Sequence, residues 1–221
     1  RELATARPAR CHTSSLVYDV PYTTYLPRAD DVPQMQIVYV APGSRGETQP
    51  HIAFAVELVR AGHEVRLYIA PEYQSLVPTL AGLSVTCSQQ TVEATLNKLE
   101  PLEPYIANGN QAAMLQAVCE TSAEFFAQET DAIKAVCEGW AEVVICNAPA
   151  ALVAYSVTEV LNIKLVGANV QPVLPTRELF SFSGRVEPPK FMNMFIWWLL
   201  YEKIYVSASL NREIEKWKAA N

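Results

Sequence analysis

No apolar run in these 221 residues is long enough to cross a bilayer. The most apolar stretch, Phe191–Tyr201, falls short of the roughly 20 residues a membrane helix needs. Positive charge is not in surplus: 17 Lys and Arg stand against 23 Asp and Glu, a net charge of −6. That balance argues against a general nucleic-acid binder and against non-specific attraction to anionic lipid. Histidine is scarce, and His12, His51 and His63 lie far apart in no ligand motif, so no metal constellation is expected. The five cysteines (11, 87, 119, 137, 146) are odd in number and lack CxxC spacing. They read as reduced thiols of a cytosolic protein, mostly core fillers, rather than a disulfide framework. No secretory signal opens the sequence. Half the residues are apolar, enough for one good core and too many for a disordered chain.

What is present is organised around Gln36–Pro71, QIVYVAPGSRGETQPHIAFAVELVRAGHEVRLYIAP. Gln36–Ala41 is rich in β-branched residues and reads as a strand buried on both faces. Pro42-Gly43-Ser44-Arg45-Gly46 breaks it. Pro50 is expected at the first helical position, where its missing N–H costs nothing. Ile52, Ala55, Val56 and Val59 follow at helical spacing, Gly62 stops the helix, and Val65, Leu67 and Ile69 alternate as a second strand.

Residues 1–34 carry four prolines and no periodicity, and read as an extension ahead of a domain at 35–221. Within that domain, Pro71–Leu80 suggests a short helix, Leu83–Cys87 a third strand and Thr91–Leu99 another short helix. A long helical stretch runs from Gln111 to Glu138, with a break expected near Thr130-Asp131 and Met114, Val118, Phe125, Ile133 and Val136 near one face. Glu142–Cys146 and Lys164–Ala168 are strands four and five, with a helix from Ala150 to Leu161 between them. Phe191–Asn221 reads as a terminal helix whose stripe includes Ile204, Leu210, Ile214 and Trp217. The alternation gives an α/β, Rossmann-like parallel sheet with helices on both faces. A switch point is expected between strands one and four, where open sheets of this kind bind ligands. The loops Pro42–Pro50, Asn147–Ala151 and Asn169–Lys190 should therefore meet.

GSRGETQP, a helix, then AGHEVRL resembles the start of the GT-B glycosyltransferases of the sterol 3-β-glucosyltransferase type and their antibiotic-modifying bacterial relatives. That family writes GSRGD-V-Q-P or GTRGD-x-x-P, then GH-x-V-x-L. Gly43, Ser44, Arg45, Gly46, Gln49, Pro50, Gly62, His63, Val65 and Leu67 match; Glu47 replaces Asp and Thr48 replaces Val. About 130 residues on, QPVLPTRELFSFSG is similar to the family's P-M-P-W-T-R-T-R-A-F-P. Thr176 and Arg177 match directly, Pro172 and a nearby Phe approximately, and Pro175 stands for the Trp. Trp197-Trp198 falls where the family has a WW-containing helix.

The resemblance implies the amino-terminal, acceptor-binding half of an inverting, UDP-sugar-dependent glycosyltransferase. A donor-binding carboxyl-terminal domain, in cis or in trans, is the implied partner, since no H-x-G-x-G-T donor motif occurs here. A UDP-sugar would be co-substrate, bound mainly by that other domain, and no cofactor is expected. The implied acceptor is a sterol or other hydrophobic alcohol, the location cytoplasmic, with peripheral membrane contact as a further expectation. By the same resemblance Glu47 is the catalytic base. His51, in the opening turn of the first helix, is a second candidate base, held neutral there by the helix dipole. His63 belongs to the Gly-His turn and reads as structural. Gly43, Ser44, Arg45 and Gly46 are candidates for contact with a sugar or diphosphate. Asn147, Gln171, Thr176, Arg177, Phe180 and Phe182 are candidates for the acceptor, with Leu174 and Leu179 beside them.

Two other readings compete. One is a non-catalytic sterol- or lipid-binding or recruitment module that keeps the pocket and has lost transfer. The other is a nicotinamide-dependent dehydrogenase, which is weak: Gly43–Gly46 is not G-x-G-x-x-G, and Glu72 is the nearest acid after the second strand.

Overall fold

The computed structural model describes residues 33–99, 108, 111–170, 191–193, 195 and 208–221. Strand β1 (Gln36–Val40) feeds helix α1 (Arg45–Arg60), then β2 (Glu64–Ile69), a 3₁₀ turn (Pro71–Leu76) and β3 (Leu83–Cys87). Helices α2 (Val92–Leu99) and α3 (Gln111–Cys137) lead to β4 (Val143–Cys146), a 3₁₀ turn (Ala148–Ala150), α4 (Ala151–Leu161) and β5 (Lys164–Gly167). Helix α5 (Ala208–Ala220) is last.

All five strands are parallel, in the order β3-β2-β1-β4-β5. Central β1 is buried almost throughout because both faces are covered. One face presents Ile37, Tyr39, Leu67, Ile69, Val143 and Ile145 to Ile52 and Ala55 of α1. The other presents Val38, Val40, Tyr68, Val144 and Cys146 to α3, α4 and α5. Helices on opposite faces are what right-handed crossovers require when the winding reverses after β3. The expected α/β sheet and its β1/β4 switch point are both present.

The structure departs from the sequence reading at four places. Helix α1 begins at Arg45, so Pro50 lies inside it rather than at its first position. The N–H that Pro50 lacks would have bonded the Gly46 carbonyl; both residues are exposed, so water can serve instead. The inward stripe of α1 is Thr48, His51, Ile52 and Ala55, rotated from the apolar pattern because two polar residues belong to it. Helix α3 runs unbroken through Thr130-Asp131: Thr130 Oγ1 donates back to the Phe126 carbonyl, and Asp131 accepts from Trp217 Nε1 at 2.7 Å. Phe126 rather than Phe125 joins the core with Ile133.

The stripe of α5 behaves as its spacing suggests, with Leu210, Ile214 and Trp217 buried in the same cluster as Phe126, Ile133 and Cys137 of α3. That apolar face is covered within the chain. Ile204, Met114 and Val118 lie outside what the structure describes for side chains. Among the described residues no helix is long and apolar enough to cross a membrane, and no group of His, Cys, Asp and Glu is arranged to hold a metal ion.

Candidate functional site

At the carboxyl ends of the strands lies a cavity of about 390 Å³. Its walls come from the segments that follow β1, β2, β3 and β4, together with α2, α3 and α4. Pro42, Gly43, Ser44 and Glu47 supply the β1–α1 turn, Ala70 follows β2, and Ser88 and Gln90 follow β3. Ala150 and Val153 enter from the β4–α4 junction. Thr91, Val92 and Thr95 of the α2 start and Phe125, Phe126, Glu129 and Ile133 of α3 complete the lining.

The turn carrying Glu47 is fixed from below. Gly43 has a φ of +136°, a conformation open to glycine and strained for other residues. A Cβ there would overlap Glu47 Oε2, so the carboxylate lies directly over the Gly43 backbone. Glu47 Oε2 also accepts a long bond, 3.4 Å, from the Ser44 N–H at the helix start, in the sense of a capping box. Thr48, wholly buried, donates its hydroxyl to the Ala41 carbonyl at 3.1 Å, with the Gly43 carbonyl at 3.4 Å. This staple holds the turn against its own helix, a role the apolar Val of the resembling motif could not fill.

Asn147 stitches the two switch-point loops together. Its Nδ2 donates to the Pro42 carbonyl at 2.7 Å, and its Oδ1 accepts from the Ala150 N–H at 3.3 Å. It is buried and does not line the cavity. Arg45 donates to Gln49 at 3.3 Å on the exposed side of α1, and neither it nor Gly46 reaches the cavity. Of the expected turn residues, the structure brings Gly43, Ser44 and Glu47 together on one wall.

His51 sits elsewhere. Its Nδ1 is 2.6 Å from the Tyr39 hydroxyl, on the sheet face opposite α3 and α4. Whichever tautomer it holds, Nε2 is buried without a hydrogen-bond partner among the described residues. Burial lowers its pKa, as a neutral imidazole requires, so desolvation achieves what the helix dipole was expected to do. The ring is 4% exposed and does not touch the cavity. His63 accepts the Met35 N–H at 3.3 Å on Nδ1, at the other end of the sheet. Gln171, Leu174, Thr176, Arg177, Leu179, Phe180 and Phe182 lie outside the described residues.

Three residues of the site were not read from the sequence. Glu129 Oε2 accepts from the Tyr68 hydroxyl at 2.8 Å, and its Oε1 accepts from Ser88 Oγ at 2.9 Å. Tyr68 keeps its proton well above the usual range, first because it is buried and next because the Glu129 charge is adjacent. The signal was available: Phe126, Glu129, Thr130 and Ile133 follow i, i+3, i+4, i+7 spacing, which puts a carboxylate in an otherwise inward stripe. Glu72, the one acid after the second strand, is spent on α2, accepting the Val92 N–H at 2.7 Å.

No protein-family model matches the chain, and no curated protein sequence matches it. Solved structures do. The glycosyltransferase SsfS6 of Streptomyces sp. SF2575 aligns at 16% identity and a TM-score of 0.49, covering 81% of this chain and 46% of that one. CalG4, the calicheamicin glycosyltransferase, aligns at 15% and 0.47, covering 85% and 46%. The spinosyn rhamnosyltransferase SpnG aligns at 19% and 0.43, covering 63% and 36%. This chain thus spans less than half the length of each. At these identities and scores the matches carry no argument about function.

Proposed function

We propose that this chain is the acceptor-binding half of an inverting glycosyltransferase that moves a sugar from a UDP-sugar to the hydroxyl of a sterol or another hydrophobic acceptor. The observation that carries the reading is the cavity at the β1/β4 switch point with Glu47, the carboxylate of the G-S-R-G-E turn, on its wall. The lining is mostly apolar, with a few fixed polar groups, and the volume falls within the ~300–1,000 Å³ of small-molecule sites. A donor-binding domain, in cis or in trans, closes the cleft and holds the nucleotide.

In this reading the acceptor's ring system lies against Phe125, Phe126 and Val153, with its hydroxyl at Glu47. The hydroxyl oxygen attacks the anomeric carbon, its proton passes to the Glu47 carboxylate, and the bond to UDP breaks with its electron pair leaving on the diphosphate. Configuration at that carbon inverts. A general base of this kind supplies about 10²- to 10⁴-fold in rate.

The test is transfer from labelled UDP-glucose to a sterol by this chain paired with a donor-binding domain. Glu47→Gln should lower kcat by about 10²-fold or more while leaving sterol affinity within about 3-fold. Glu47→Asp, the residue the resembling family writes, should stay active. One observation favours a second reading, a binding or recruitment module: the Glu47 carboxylate already serves its own helix start. Sterol binding without transfer in any pairing would select that alternative.

A further inference from the structure

The cavity carries a second carboxylate, and its setting differs from that of Glu47. Glu129 projects from the middle of α3 and is pinned by Tyr68 and Ser88, one donor to each oxygen. A carboxylate offers about four lone-pair sites, so two donors leave it with acceptor capacity. That capacity belongs to a residue lining an apolar cavity. Among the described lining residues are two carboxylates and no Lys, Arg or His. The remaining polar lining groups, Ser44, Gln90, Thr91 and Thr95, carry no charge.

From this we infer that Glu129 is a specificity-determining residue: the molecule that fills the cavity bears a hydrogen-bond donor, best of all a protonated amine, placed to reach Glu129, and molecules ending in a carboxylate or phosphate are rejected. The inference rests on the reading of the cavity as an acceptor site and adds the acceptor's chemical class: an amphiphile with a hydroxyl at Glu47 and a second donor group at Glu129. An ammonium meeting this carboxylate gains a charge-assisted bond in surroundings poor in water. An anion at the same place gains none, leaves its own lone pairs unpaired and faces like charge.

Three 3β-hydroxysteroids that share a ring skeleton and differ only at the side-chain terminus test this: one ends in an amine, one in a methyl group and one in a carboxylate. Calorimetry on the full chain at pH 7 should rank them amine, then methyl, then carboxylate, with about a 10-fold step from methyl to amine, as one charge-assisted hydrogen bond gives. Glu129→Gln keeps an oxygen for Tyr68 or Ser88 and should collapse the ranking to within about 3-fold. Ser88→Ala, which frees an oxygen of Glu129, should preserve it; matching thermal melts would show that each variant is folded. If the three steroids bind wild type equally, or the carboxylate binds best, the inference is overturned while the acceptor reading stands. If none binds, both are overturned.

Discussion

Gly43 shows how one backbone angle sets the place of a carboxylate. Its φ of +136° lets the chain turn sharply after β1, and its missing Cβ leaves the space that Glu47 Oε2 occupies. Gly43→Ala should therefore do two things at once. Backbone strain should cost about 1–3 kcal/mol of stability, read from urea unfolding. Under the proposed function the displaced carboxylate should also lower transfer, and combining Gly43→Ala with Glu47→Gln should cost less activity than the two single losses together.

The buried titrating groups set a pH dependence whose direction follows from burial. Desolvation pushes the Cys146 thiol from 9.0 to about 11 and Cys137 to about 12. A group whose folded pKa is raised keeps its full contribution below the unfolded value and loses it as pH climbs toward the folded one. Stability should thus hold up to about pH 9 and decline above it, with Tyr39 and Tyr68 adding the same trend beyond 10. His51 is lowered below 6.5, so its contribution is present above that value and is lost as pH falls. Urea midpoints from pH 5 to 10.5 should trace a plateau with shoulders on both sides. A flat response above pH 9 would contradict the burial of the two thiols.

Among the elements, the strands were the most legible because β-branched runs bounded by Gly and Pro have few other uses. Helix boundaries and faces were less so. Pro50 reads as an opening residue, yet α1 starts five residues earlier, at Arg45, and tolerates the proline inside its first turns. Its buried stripe is hidden in the sequence because Thr48 and His51 look polar, and only the turn's carbonyls and Tyr39 reveal their partners. The Thr130-Asp131 pair of α3 reads as a break because both residues favour caps. In the fold they are satisfied by a back-bond and by Trp217 of α5.

That last contact ties two helices 86 residues apart in sequence. Trp217→Phe should remove the bond to Asp131 and cost about 1–3 kcal/mol. Trp217→Ala should also empty the packing between α3 and α5 and cost about 3–5 kcal/mol. Chemical denaturation of the two variants separates the terms; equal, small losses would mean that α5 is not docked as described.

For the whole molecule, winding order decides where chemistry can occur. Reversal after β3 opens a crevice between β1 and β4, and the G-S-R-G-E turn lies there because it follows the central strand. This much could be read from Gln36–Pro71 and the alternation of elements. The partners of the other half could not: spacing puts Glu129 in an inward stripe of α3, but it meets Tyr68 and Ser88 only when α3 folds across the ends of β2 and β3. Sequence separations of 41 and 61 residues leave no local pattern for such a contact.

The most direct measurement is photo-crosslinking of a 3β-hydroxysterol carrying a diazirine on its rings, followed by peptide mapping. Labels should fall within residues 42–47, 88–95, 125–133 and 150–153 and be suppressed by Val153→Trp, which fills the cavity. Labels confined to the outer face of α1 or to the β5 edge, unaffected by that substitution, would contradict it.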